Sequence, residues 1–202
     1  MARIIGPKCR ICRQLGVKLN LKGTRCDSEK CAMTKRPYSP GQHGNSRRRS
    51  RASEYGDQLR EKQKAKNIYG VLEHQFKNYV TSALKMEGVS GENLFRLLES
   101  RLDNLVYRSG FSLSRPQARQ LIRAGVFTVN DKKVLSPSYR VKAGDILKPV
   151  DFSKVHLREG FVLPEWISAN VKERYIKMER DPVLEDFGES FEIQQIIDFY
   201  SR

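Results

Sequence analysis

Acidic residues are scarce in this chain: 23 Asp and Glu stand against 38 Lys and Arg in 202 residues, giving a formal charge of +15 and a pI ≈ 9.8. A balance this basic excludes a self-contained acidic protein and implies a polyanionic partner. Long apolar runs are missing as well. No stretch approaches the roughly 20 apolar residues needed to span a bilayer, and no apolar region follows the start, so the expectation is a cytosolic protein, neither secreted nor membrane-embedded. Tryptophan occurs once, at Trp166, which reads as core. No amphipathic segment exposes Trp, Phe and Leu together, which argues against a lipid-surface anchor. The motifs of common catalysts are absent too: no Gly-rich phosphate loop ending in Lys-Ser/Thr, no G-x-S-x-G and no His-Glu-x-x-His. Of the three histidines, His74 reads as a packed or surface helix residue and His156 has no evident partner. The expectation is a protein that is not an enzyme. No internal repeat is visible.

What charge there is lies unevenly. Residues 1–70 hold 18 Lys/Arg against 5 Asp/Glu, residues 71–150 hold 13 against 7, and residues 151–202 hold 7 against 11. The polyanion should therefore lie against the first two-thirds of the chain, while the acidic end suits a basic protein neighbour.

All four cysteines fall within residues 1–35. Cys9-x2-Cys12 and Cys26-x4-Cys31, thirteen residues apart, put two thiol pairs at chelating spacing in a short segment with little to bury. A reducing compartment disfavours disulfides, and an iron–sulfur cluster is a lesser alternative. The economical reading is one structural zinc held by Cys9, Cys12, Cys26 and Cys31, contributing on the order of 10 kcal/mol to local folding. His43, twelve residues beyond Cys31, could replace one thiolate, although a ring stacked on RNA or exposed to water fits its Pro/Gly loop better. Lys8, Arg10 and Arg13 would surround the metal.

The stretch 36–53, RPYSPGQHGNSRRRSRAS, is rich in Pro, Gly, Ser and Arg. It is irregular by composition. Tyr38 and His43 offer flat rings, Gln42 an amide, and Arg47, Arg48, Arg49 and Arg51 dense positive charge, so it reads either as an element ordered by RNA or as a flexible basic linker.

Helical spacing then takes over. Ile68, Leu72, Phe76, Tyr79, Val80 and Ala83 form one series, and Leu94, Leu97, Leu98, Leu102, Leu105 and Val106 another, which predicts two or three amphipathic helices with a linker at 86–93 and a stop at Gly110. The segment 114–126, SRPQARQLIRAGV, predicts a short helix, with Ser114 and Gln117 in capping-box form and Gly125 as a left-handed cap. Ala118, Leu121 and Ile122 form its inner face. Arg115, Arg119 and Arg123 recur every fourth residue and are expected to point outward beside the core, placed to meet phosphates. Two short strands around an Asn130-Asp131 turn follow, carrying Lys132 and Lys133. A further strand is expected at 145–147, a possible helix at 170–179, and a helix or strand at 193–200.

The segment from Ser114 through the Asn130-Asp131-Lys132-Lys133 turn resembles the small RNA-binding domain named after small-ribosomal-subunit protein four. Similar domains occur in pseudouridine synthases, tyrosyl-tRNA synthetases and a heat-shock RNA-binding protein. Residues 2–16 with the cysteine pairs, 36–44 with P-G-Q-H-G, and the I-I-D-F-Y-S-R ending resemble the bacterial-type family of that ribosomal protein, and the four cysteines match its zinc-bearing subgroup. A modifying enzyme with the same domain would need a catalytic domain for which there is no spare length. A zinc-finger transcription factor would need a recognition helix between the cysteine pairs.

The resemblance implies an α+β protein: a mainly helical domain at 46–91 completed by 165–202, an RNA-binding domain of helix-turn-helix and β-hairpin with a small antiparallel sheet inserted at 92–164, and a zinc module with a basic loop at 1–45. It also implies a cytoplasmic constituent of the small ribosomal subunit that binds the 5′ domain of small-subunit ribosomal RNA early and nucleates assembly. Implied partners are small-subunit protein five, protein three and mRNA near the entry channel, with an influence on translational accuracy and possible repression of the protein's own mRNA.

Overall fold

Two helices, α4 (Glu54–Ile68) and α8 (Arg115–Arg123), begin where a serine side chain satisfies an unpaired backbone donor. In the computed structural model, which describes residues 4–45, 53–186, 188 and 190–201, Ser53 accepts from Gly56 N–H at 3.2 Å and opens α4 (Glu54–Ile68), with Glu54 and Asp57 in the favourable first turn. Gly70 adopts φ +63 after that helix, and α5 (Glu73–Lys85) buries Phe76, Val80 and Ala83. Leu72, expected in the same apolar series, lies outside both helices and is exposed. Ahead of them come α1 (Lys8–Leu15), α2 (Thr24–Asp27) and α3 (Ala32–Lys35).

These five helices, together with α9 (Ile193–Tyr200), belong to one unit formed by Met1–Gly91 and Gly188–Arg202. Here α9 lies against α4, burying Ile193, Ile196 and Ile197. Aromatic contacts join the two segments: Tyr55 to Phe199 at 5.4 Å, Tyr69 to Phe191 at 6.3 Å and Phe76 to Tyr200 at 6.4 Å between ring centroids. Lys62 is buried, reaches Glu73 at 2.6 Å and lies 4.6 Å from the centre of the Phe199 ring. Burial alone would raise the Glu73 pKa, but hydrogen bonds from Lys62 and Lys66 outweigh it and hold the carboxyl at about 2.

The second unit, Glu92–Phe187, contains the α6 (Ser90–Glu99) residues from Glu92 onward, α7 (Leu102–Arg108), α8 (Arg115–Arg123) and an antiparallel five-stranded sheet. The sheet order is β2-β1-β3-β5-β4, with β1 at Phe127–Val129, β2 at Lys132–Lys133, β3 at Ile146–Pro149, β4 at Ile167–Asn170 and β5 at Tyr175–Met178. Leu102, Leu105, Phe111, Ala118, Ile122, Phe127, Leu147, Trp166, Ile176 and Met178 make one core beneath it.

The inserted domain thus extends past the boundary at 164, because β4 and β5 complete its sheet. Residues 170–179 are not a helix. Ile176 and Met178 point inward while Tyr175 and Lys177 are only half-buried, the two-residue alternation of a strand. Asn170 makes the turn before it, its Oδ1 accepting from Lys172 N–H at 2.9 Å and Glu173 N–H at 3.2 Å. Among the described residues, no helix is long and apolar enough to cross a membrane.

Candidate nucleic-acid interface and cysteine site

Ser114 caps α8 by accepting from Gln117 N–H at 3.4 Å, and Gln117 Oε1 accepts from Leu113 N–H at 2.9 Å. Gly125 closes the helix at φ +73, a left-handed conformation that favours glycine. This local order sets the register, but the three arginines do not share one environment. Arg115 is only 7% exposed; its Nε donates to Asn104 Oδ1 at 2.8 Å and its guanidinium lies 4.6 Å from the Tyr107 ring centre. Arg119 is half-buried and donates to Asp103 Oδ2 at 3.4 Å. Only Arg123 is exposed as expected.

The reason is a set of buried acceptors on α6 and α7 that no spacing rule foretold. Asp103 accepts from Arg101 Nε at 3.0 Å and Nη2 at 2.6 Å, and it shares its second oxygen with Arg119. Glu99, also buried, accepts from Asn104 at 2.8 Å and from Arg108 at 3.0 and 2.9 Å. A buried guanidinium requires such partners, since unpaired charge in the interior is costly. For Arg119, burial lowers the pKa most, Asp103 opposes, and the like charges of Arg101 and Arg123 lower it further.

Beyond α8, Asn130 and Asp131 take φ +48 and +62, the left-handed pair of a tight two-residue hairpin. Asn130 pins this turn to β3, donating to Asp145 at 2.8 Å and accepting from Ile146 N–H at 2.9 Å. Lys132 and Lys133 are exposed on β2.

In the helical unit, the Tyr38 backbone is held by Arg13, whose Nε donates to Tyr38 O at 2.9 Å and whose guanidinium lies 4.9 Å from the Tyr38 ring centre. Arg13 is thus a positioning residue for this loop, a role its place beside Cys12 did not suggest. Gln42 and His43 are exposed nearby in sequence. Arg47, Arg48, Arg49 and Arg51 lie outside the described residues.

Cys9, Cys12, Cys26 and Cys31 line one cavity of about 10 Å³, and none is in a disulfide. Burial pushes the Cys12 thiol up, the Leu19 backbone N–H counters it, and the neighbouring cysteines push it up again; Cys26 behaves alike, with Lys22 N–H donating to its Sγ at 3.3 Å. Burial and crowding favour the neutral thiols here, whereas a bound dication would stabilise the thiolates. Among the described residues, no group of three or more His, Cys, Asp or Glu side chains is drawn into geometry that could hold a metal ion.

A capped basic helix beside a tight lysine hairpin on a small antiparallel sheet defines a protein of the S4-domain class, built to meet RNA. Residues 100–147 match the family model described as the S4 domain, and residues 3–99 match the Ribosomal protein S4/S9 N-terminal domain. The chain is 51% identical to "Small ribosomal subunit protein uS4" of Thermodesulfovibrio yellowstonii (strain ATCC 51303 / DSM 11347 / YP87), 50% to "Small ribosomal subunit protein uS4A" of Clostridium botulinum (strain ATCC 19397 / Type A) and 47% to "Small ribosomal subunit protein uS4" of Dictyoglomus thermophilum (strain ATCC 35947 / DSM 3960 / H-6-12), with 100% of each chain covered. The chain belongs to the ribosomal protein uS4 family.

Proposed function

We propose that this protein is a cytoplasmic structural constituent of the small ribosomal subunit that binds small-subunit ribosomal RNA, and that it is not an enzyme. The observation that carries this reading is similarity to small-subunit proteins over the whole chain, joined to an S4 domain whose hairpin and helix end expose Lys132, Lys133 and Arg123. Those cations would release counterions on meeting phosphate, and the loop of Tyr38, Gln42 and His43 would read RNA shape and stack on bases. Early docking on the 5′ domain, nucleation of assembly, an effect on accuracy through proteins five and three near the mRNA entry, and repression of its own mRNA complete the reading. Sedimentation of lysate at high salt tests it: stoichiometric migration with the small subunit supports it, and recovery only in free fractions overturns it.

The reading includes one structural zinc held by Cys9, Cys12, Cys26 and Cys31. The shared cavity and the absence of disulfides among them support this. The zinc would close the cysteine-bearing segment without an open coordination position, and hence without catalytic chemistry.

A further inference from the structure

The stretch 151–186 is net acidic, and three of its six cations pair with carboxylates within it. Lys154 pairs with Asp151 at 2.9 Å, Lys177 with Glu179 at 2.6 Å and Arg180 with Asp186 at 2.8 Å. Arg158 and Arg174 are treated differently. Among the described residues neither guanidinium has a carboxylate or any other hydrogen-bond acceptor; both are laid over aromatic rings. Arg158 stands 4.4 Å from the Tyr107 ring centre and 5.5 Å from that of Phe161, and Arg174 stands 5.0 Å from that of Phe152.

Each placement is built. Arg158 N–H donates to Gly110 O at 2.8 Å, fixing its backbone to the end of α7, and Phe161 covers Gly110 so closely that a Cβ there would overlap its ring. Phe152 packs edge-on against Phe111, the residue after Gly110, at 6.2 Å between ring centroids. Arg174 holds φ +55, a backbone state costly for a residue with a side chain, in the turn that Asn170 organises. The two arginines are therefore joined through one aromatic patch around Gly110 and Phe111, and that patch reaches Arg115 through their common neighbour Tyr107.

Ring stacking fixes a guanidinium without consuming its N–H donors, whereas a carboxylate consumes two of them. An arginine held this way is preorganised for a planar, doubly hydrogen-bonded anion such as phosphate. We infer that Arg158 and Arg174, seated on Tyr107, Phe161 and Phe152, form a second phosphate-contacting surface of this domain, directed at the RNA backbone and separate from the lysine hairpin. The inference rests on the proposed RNA-binding function.

The test measures affinity of the full chain for small-subunit ribosomal RNA across a salt series. Wild type, Arg158→Ala, Arg174→Ala and the two Arg→Lys variants are compared, with thermal unfolding of each. Alanine at either site should weaken binding several-fold and flatten the log–log salt slope by up to about one unit. Lysine should keep the slope and lose part of the affinity, a split that misfolding would not produce. Unchanged affinity and slope in all four variants, beside a salt-dependent wild type, would overturn the second surface alone. Wild type without salt-dependent binding would sink the functional reading with it. Loss of a protein neighbour from the assembled subunit, with RNA affinity intact, would assign the surface to protein and also refute the inference.

Discussion

At the scale of single residues, partners decide what a charge does. Asp103 is buried and serves Arg101 and Arg119 at once, so Asp103→Asn removes the charge that both guanidiniums share. We expect a loss of about 3–5 kcal/mol of stability in urea unfolding, in the range of broken buried pairs; a change below about 1 kcal/mol would mean that the pair is solvated. Glu73 makes a pH prediction. Its pKa of about 2 in the folded state lies below the unfolded value of a glutamate, so its pairing with Lys62 and Lys66 stabilises the fold above that unfolded value. The contribution fades as pH falls through about 4 towards 2. Acid titration of unfolding should show a limb in this window that Glu73→Gln lacks, and an unchanged limb would assign the effect to other carboxylates.

At the scale of elements, α8 shows how far spacing can be trusted. The cap, the Gly125 stop and the inner face of Ala118 and Ile122 were legible, because they depend on neighbours within one or two turns. The common outward direction of the arginines was not, since it depended on Asp103 and Asn104 from another helix. Two substitutions should therefore separate. Arg123→Ala, at an exposed position, should leave the melting temperature within about a degree and flatten the RNA salt slope by up to about one unit. Arg115→Ala should chiefly destabilise the domain, because it strips Asn104 and Tyr107 of a buried partner. Equal behaviour of the two variants in both assays would restore the uniform stripe. The expected helix at 170–179 failed for a related reason. The strand alternation of Ile176 and Met178 is only four residues long and follows a polar turn, and the sheet edge that selects it comes from Ile146 and Leu147, some thirty residues earlier.

At the scale of the whole molecule, the zinc reading predicts that purified protein carries about one equivalent of metal. A chelator should then unfold the cysteine-bearing segment, where so little is buried, while amide protection of the five-stranded sheet persists. Metal well under one equivalent, with no structural loss to chelator, would remove zinc from the description. By itself the sequence determined the basic character, the two cysteine pairs, the caps and the helical periodicities, because composition and short-range spacing are properties of neighbours along the chain. Tertiary structure alone decided that the sheet takes in residues 167–178, that Arg115 is a core residue, and that Arg158 and Arg174 lie on rings instead of pairing with acids. Burial and charge pairing depend on residues brought together from distant positions, and no local pattern carries that information.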